Sequence, residues 1–167
     1  MFITAAPPAL TSRGLSTLAF TVARDPSLWE PLVEFRTEQR YWARLATPEP
    51  FAGRADLWLL TWLPGQETAP HDHGQSAAAF RVVQGTLTEY RWALDGTSRR
   101  AAFGAGQAQE VPVGAVHDVV NLGPEPAVSI HAYSPRLTAM KYYAVVDGAL
   151  QPQRIVETDN PESEWVR

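Results

Sequence analysis

The chain has 167 residues, 45% of them apolar and 19% charged, which is ordinary for a soluble globular protein and enough for one well-buried core. A formal charge of −4 and no Lys/Arg cluster argue against a nucleic-acid partner, and no apolar run reaches the roughly eighteen residues needed to span a bilayer. With no cysteine there are no disulfides and no thiolate ligands, so any metal would be held by nitrogen and oxygen donors.

Met1 to Leu15 lacks the basic start and long apolar stretch of a secretory leader, so a cytoplasmic location is expected. From Thr11 to Arg24, apolar residues fall at Leu15, Leu18, Ala19 and Val22, the spacing of one helix face. Asp25-Pro26-Ser27 reads as a stop and restart, with Leu28, Leu32 and Phe35 continuing a second helical face that fades near Arg40. From Asp56 the pattern turns to β. Strands are expected at 57–63, 78–83, 86–92, 109–113, 117–121, 128–133 and 142–147, punctuated by Pro64-Gly65, Gly85, Asp95-Gly96, Gly106, Gly114 and Gly123-Pro124. Many short strands at this spacing favour a sandwich or barrel over βαβ units. The division expected is a helical segment, 1–45, packed on a barrel, 46–155, with a loose polar tail, 156–167, on which Trp165 could fold back.

All four histidines lie in or near this β region. On a strand, His71 and His73 would point to one face with Cα atoms roughly 6–7 Å apart, so two imidazoles can converge on one ion. His117 would join from another strand across the interior. An isolated His-x-His is more readily a polar loop, so the spacing around it matters. Gly65, five residues, His71-x-His73, four residues, Ala78, six residues, Gly85 forms one stretch. Gly106, five residues, Pro112-x-Gly114, two residues, His117, three residues, Asn121 forms a second.

These two stretches resemble the paired motifs of the cupins, with one departure. The slot that usually carries a glutamate holds Ala78. Losing that acid is a feature of the thiol dioxygenases, and His71-Asp-His-Gly-Gln-Ser76, Val83-Gln-Gly85 and Pro126-Ala-Val-Ser129-Ile-His131-Ala-Tyr133-Ser-Pro135 resemble the cysteine dioxygenase family over roughly residues 40–145. The resemblance implies an all-β cupin barrel (a double-stranded β-helix, or jelly roll) with N-terminal helices. It further implies Fe(II) on His71, His73 and His117, O₂ as co-substrate, and oxidation of the sulfur of L-cysteine to a sulfinic acid. The expected partner is a small-molecule thiol and the expected state a monomer. Three neutral imidazoles leave three positions open on an octahedral ion and let it keep its full charge, which suits an anionic ligand.

Ser129, His131 and Tyr133 alternate and so share one strand face. If that face is interior, His131 could hydrogen-bond the Tyr133 phenol beside the metal, although a buried Tyr-His pair can equally be structural. Some family members join that tyrosine to a cysteine at the slot of Ala78; without cysteine no such cross-link forms here. For the substrate carboxylate, Tyr41-Trp42-Ala43-Arg44 resembles the family's aromatic-x-Arg segment and nominates Arg44, with Arg81 or Arg91 as alternatives. Relatives acting on 3-mercaptopropionate usually lack that arginine, so Arg44 favours cysteine. Trp58, Trp62, Phe80 and Trp92 are expected in the core, Asp72 off the metal, Asn121 as a structural hydrogen-bonder and Ser134-Pro135 as a cis bond. A zinc-binding cupin or a non-catalytic, ligand-binding one uses the same three histidines and stands as the alternative.

Overall fold

A computed structural model describes residues 7–161. Within that span one α-helix, α1 (Ser12–Ala23), precedes eleven strands: β1 (Tyr41–Leu45), β2 (Asp56–Trp62), β3 (His71–Asp72), β4 (Ala77–Gln84), β5 (Thr86–Trp92), β6 (Ser98–Gly104), β7 (Ala108–Val111), β8 (Val116–Val120), β9 (Ala127–Ser134), β10 (Ala139–Val146) and β11 (Ala149–Glu157).

Helix α1 forms for the reason its spacing gives. Leu15, Leu18, Ala19 and Val22 are its buried residues, and the Thr11 side chain caps it by accepting the Gly14 amide hydrogen at 3.2 Å. The expected second helix does not form. Two single 3-10 turns, Pro26–Leu28 and Glu30–Leu32, replace it, and residues 33–40 carry no helix. Pro26 and Pro31 each sit in the opening turn and cannot donate to a longer helical ladder. Residues 41–45, expected in the helical segment, are a strand, and β11 extends to Glu157 where a loose tail was expected from 156. Trp165 lies outside the described residues.

The strands make two antiparallel sheets, ordered β1-β2-β9-β4-β7 and β11-β10-β3-β8-β5-β6. Among the described residues no ladder joins them into a closed ring, and the all-β arrangement expected takes the form of two facing sheets. Their inner faces meet in one apolar core, with Trp58, Trp62, Phe80 and Tyr133 from the first sheet against Leu87, Val119, Met140 and Tyr142 from the second. On the outer face of the first sheet, α1 packs on β4 and β9 and joins Leu57, Leu59, Ala79, Val128, Ile130 and Ala132 in a second apolar core. Burying each such aliphatic side chain contributes about 1.5–3 kcal/mol.

Strand β9 is therefore covered on both sides and buried along its whole length. Its even residues face the helix; its odd residues, Ser129, His131 and Tyr133, share the inter-sheet face with their register partners Val82, Phe80 and Ala78 of β4. Trp58, Trp62 and Phe80 are in the core as expected, whereas Trp92 is only half-buried and donates its indole N–H to Asp118. Two X-Pro bonds among the described residues are cis, Ser134-Pro135 as expected and Glu49-Pro50 in addition.

Candidate metal centre

Strand β3 is only two residues long, yet it lies between β10 and β8 in the second sheet. Its register sets Tyr142 and His117 directly beside His71 on either flank, and Arg91 of β5 beside His117. His117 thus reaches the site from a neighbouring strand of the same sheet, not from across the interior. His73 follows two residues after His71. Asp72 between them turns the other way, accepting the Gly74 amide at 2.8 Å and the Tyr143 hydroxyl at 2.7 Å, and so anchors the segment from behind. Burial first, and that hydrogen bond second, push the Tyr143 phenol pKa up.

The three ring pairs have centroids 4.8–5.1 Å apart, and one potential ligand atom from each residue lies within 4.8 Å of the others. All three side chains are buried. Hydrogen bonding shows which ring nitrogens of His71 and His117 are left bare. His71 Nδ1 meets the Ala69 carbonyl at 2.7 Å, so it must carry the proton and leave Nε2 bare. His117 Nδ1 is held by the Glu89 carboxylate at 2.8 Å, which leaves its Nε2 bare as well. That His117 Nε2 is buried and without a hydrogen-bond partner. His71 and His73 bring their Nε2 atoms to 3.2 Å. Two nitrogens about 2.1 Å from a common ion stand roughly 3.0–3.4 Å apart, so the spacing of His71 and His73 suits a shared metal. Burial, above all, holds the imidazoles neutral. His71 is lowered to about 4, with Arg40 adding to the burial while the Ala69 bond, Asp72 and Glu89 oppose it; His73 and His117 lie well below their ordinary value, depressed further by the charge of their neighbours. Neutral imidazole is the form that binds metal.

Around this set, Ser129, His131 and Tyr133 line the inter-sheet face as expected. The Tyr133 ring centroid is 5.0 Å from that of His73. His131 lies flat against Phe80, with centroids 5.4 Å apart, and its Nε2 is 2.8 Å from Ser129 Oγ. The same Oγ accepts the Trp62 indole N–H at 2.9 Å. A hydroxyl has one proton to give, and the arrangement that satisfies all three groups sends it to His131 Nε2. His131 is then a neutral ring protonated on Nδ1, consistent with burial lowering it to about 3. Ala78, in the slot that cupins fill with glutamate, is buried directly opposite Tyr133 in the β4–β9 register.

Arg44 is placed differently from the sequence reading. Its guanidinium lies over Trp58 and is bound to Asp56 at 2.8 Å and Asp159 at 3.4 Å, with 38% of the side chain exposed. Arg136 shares Asp56 at 3.0 Å. Two other cations act on the histidines: Arg91 on His73 and His117, and Arg40 on His71 and His131. Arg40 precedes β1, stacks over the Trp62 ring at 5.2 Å, donates to the Glu67 carbonyl and lines a cleft too narrow to hold a water molecule, with Thr68, His71, Met140 and Tyr142. Its charge contributes to the lowered pKa of both His71 and His131. Of the named alternatives, Arg81 donates to the Gly106 carbonyl and Arg91 to Glu89. Arg40 and Glu89 were missed by sequence reasoning. The signal for Arg40 was alternation, since Arg40, Trp42 and Arg44 share one strand parity; for Glu89 it was Leu87-x-Glu89-x-Arg91 running inward along β5. Asn121 is the structural residue expected, fully buried and donating to the Trp62 and Glu125 carbonyls.

Two facing antiparallel sheets with three converging histidines define a β-sandwich that carries a candidate metal centre. In fold the chain resembles a Thermus thermophilus protein of known structure (TM-score 0.54, 24% identity, covering 64% of this chain and 92% of that one). A Klebsiella pneumoniae protein with a double-stranded β-helix domain is similar too (TM-score 0.53, 18% identity, 75% and 93% covered). The model of the family described as cysteine dioxygenase type I matches residues 13–145, and the chain belongs to that family. Cysteine dioxygenase type 1 of Homo sapiens, and that of Pongo abelii, are each 28% identical to it over 120 residues, 66% of this chain. The chain spans 58% of the length of these curated relatives.

Proposed function

We propose that this chain is a non-haem Fe(II) dioxygenase of small thiol carboxylates, with L-cysteine as first substrate and cysteine sulfinic acid as product. The observation that carries the reading is a buried cluster of three neutral imidazoles, with alanine rather than an acid at position 78, in a chain of the cysteine dioxygenase type I family. Iron bound there would supply a Lewis acid for the thiolate and electrons for O₂, so that both oxygen atoms end on sulfur.

The chain's own residues do the rest. Nε2 of His71, His73 and His117 would hold the ion on one side only, facing the core. Arg40 would take the substrate carboxylate, because a guanidinium offers five donors in a fork that matches it. Tyr133, on the face that carries His131, would hydrogen-bond the polar groups of the substrate. The Trp62–Ser129–His131 chain fixes the proton of His131 on Nδ1, the edge that would hold the phenol. Phe80, Trp58 and Met140 keep bulk water out, which strengthens each of these polar contacts.

Oxygen uptake by protein of known iron content, with cysteine and with 3-mercaptopropionate and the product weighed by mass spectrometry, tests the reading. Stoichiometric sulfinate from cysteine is expected. Iron-loaded protein that consumes no O₂ with any small thiol overturns it. A second reading, preference for 3-mercaptopropionate, is favoured by one observation: Arg44, at the segment that resembles the family's carboxylate arginine, is bound to Asp56 and Asp159. Its mark would be higher kcat/KM for the substrate without an amine. Zinc at full occupancy without thiol oxidation would instead return the zinc-binding alternative.

A further inference from the structure

Behind His117 lies a buried carboxylate that serves no core purpose of its own. Glu89 is 2% exposed and sits in strand β5, with Ala101 and Val119 as its register partners. Placing a carboxylate there is costly unless its lone pairs are filled. Three donors fill them: His117 Nδ1 at 2.8 Å and Arg91 at 2.9 Å on Oε1, and Gln109 Nε2 at 2.7 Å on Oε2. Gln109 comes from β7 of the other sheet, so the carboxylate is gripped from both sheets at once. Arg91 is anchored in turn to the Glu110 carbonyl at 3.0 Å. Within this cluster His117 keeps a bare acceptor turned towards the other two imidazoles, its partnerless Nε2.

We propose that Glu89 is the positioning residue of the metal centre. It fixes His117 in the Nδ1–H tautomer, aims Nε2 and raises that nitrogen's donor strength, with Arg91 damping the effect by partly neutralising the carboxylate. The chain has alanine where cupins usually carry an acidic ligand, and Glu89 returns negative charge to the centre one residue removed, without occupying a coordination position. Open positions and a stabilised oxidised ion are thus combined, because a ligand can be strengthened through its second nitrogen. The inference rests on the three histidines being a metal centre, and the experiment separates the two ideas.

Binding of Co(II), then of Fe(II), to wild-type protein is measured by chelator competition; this arm tests the centre itself. The same titrations on Glu89→Gln, which keeps a hydrogen-bond acceptor but removes the charge, test the inference. A 10–100-fold weaker affinity is expected, the range for loss of such a partner, together with a higher Fe(III)/Fe(II) potential and a changed Co(II) visible spectrum. Arg91→Met, at a half-exposed position, is expected to move the potential the opposite way. Because Arg91→Met spares the buried carboxylate, it carries the test if Glu89→Gln fails to fold. Wild-type protein that binds no metal removes the centre. Wild-type binding with affinity, spectrum and potential unmoved in the folded variants overturns the role of Glu89. A Glu89→Gln protein that merely loses thermal stability while its metal affinity stays at the wild-type value also overturns it.

Discussion

Two arginines of the same strand parity, four residues apart, divide the work at the edge of the site. Arg44 is neutralised by Asp56 and Asp159, whereas Arg40 puts its charge on His71 and His131. Replacing Arg40 by Met should therefore raise KM for cysteine about tenfold or more, since one charge-assisted hydrogen bond contributes about 1.5–3 kcal/mol. Arg44→Met should leave KM within about threefold and instead lower stability, because a charged Asp56, 5% exposed, would keep only Arg136. Steady-state kinetics on both variants decide it; a larger KM effect at Arg44 would restore the original assignment. The three clustered histidines were legible in the sequence because glycines and prolines at fixed intervals frame them. The pairing of Arg44 was not, because an aromatic-x-Arg segment specifies a strand face without saying which of its cations meets an acid. Asp56 and Asp159 are distant in sequence from Arg44, and only folding brings them to it.

At the scale of elements, α1 was readable in full, because its four apolar positions and its Thr11 cap agree. Seven strands were also found by their alternating or continuous apolar runs. The four missed, β1, β3, β6 and β11, fail that test for visible reasons. β6 is exposed along most of its length and β11 is mostly polar, so neither shows an apolar face. β3 has two residues, and the sheet around it supplies its stability. The turn between β4 and β5 makes a sharper prediction. Gly85 has φ of 72°, and a Cβ there would sit 2.6 Å from the Pro126 carbonyl and 2.9 Å from Ala127 Cα. Gly85→Ala should cost about 2–4 kcal/mol, from left-handed backbone strain together with overpacking against rigid backbone. Urea unfolding should show it as a lower midpoint at unchanged slope; a wild-type midpoint would mean that the turn relaxes.

For the molecule as a whole, burying four neutral histidines ties stability to pH. The folded values are lowered, His71 to about 4 and His131 to about 3, with His73 and His117 also well down, while the unfolded chain takes up protons near 6.5. Unfolding therefore binds protons as the pH falls below about 6.5, and the metal-free protein loses stability from there down through the folded values. Above 7 these groups contribute no slope. Each histidine adds about 1.4 kcal/mol per pH unit inside the window, so several together should bring the unfolding midpoint down steeply between about pH 6.5 and 5. Denaturant titrations of metal-free protein across that range check this, and His131→Gln should flatten the curve. Strand β9 has a consequence of another kind. One of its sides seats the outer helix and the other carries the Ser129, His131 and Tyr133 row, so a methyl group removed at Ile130, out of reach of any substrate, can tilt that row. Ile130→Val, at a cost of only about 0.5–1.5 kcal/mol, should then loosen coupling: more oxygen consumed per sulfinate made, read by running an oxygen electrode and product analysis on the same sample. Fidelity in such an enzyme would be set partly from the back of the sheet, by packing that never meets the reactants.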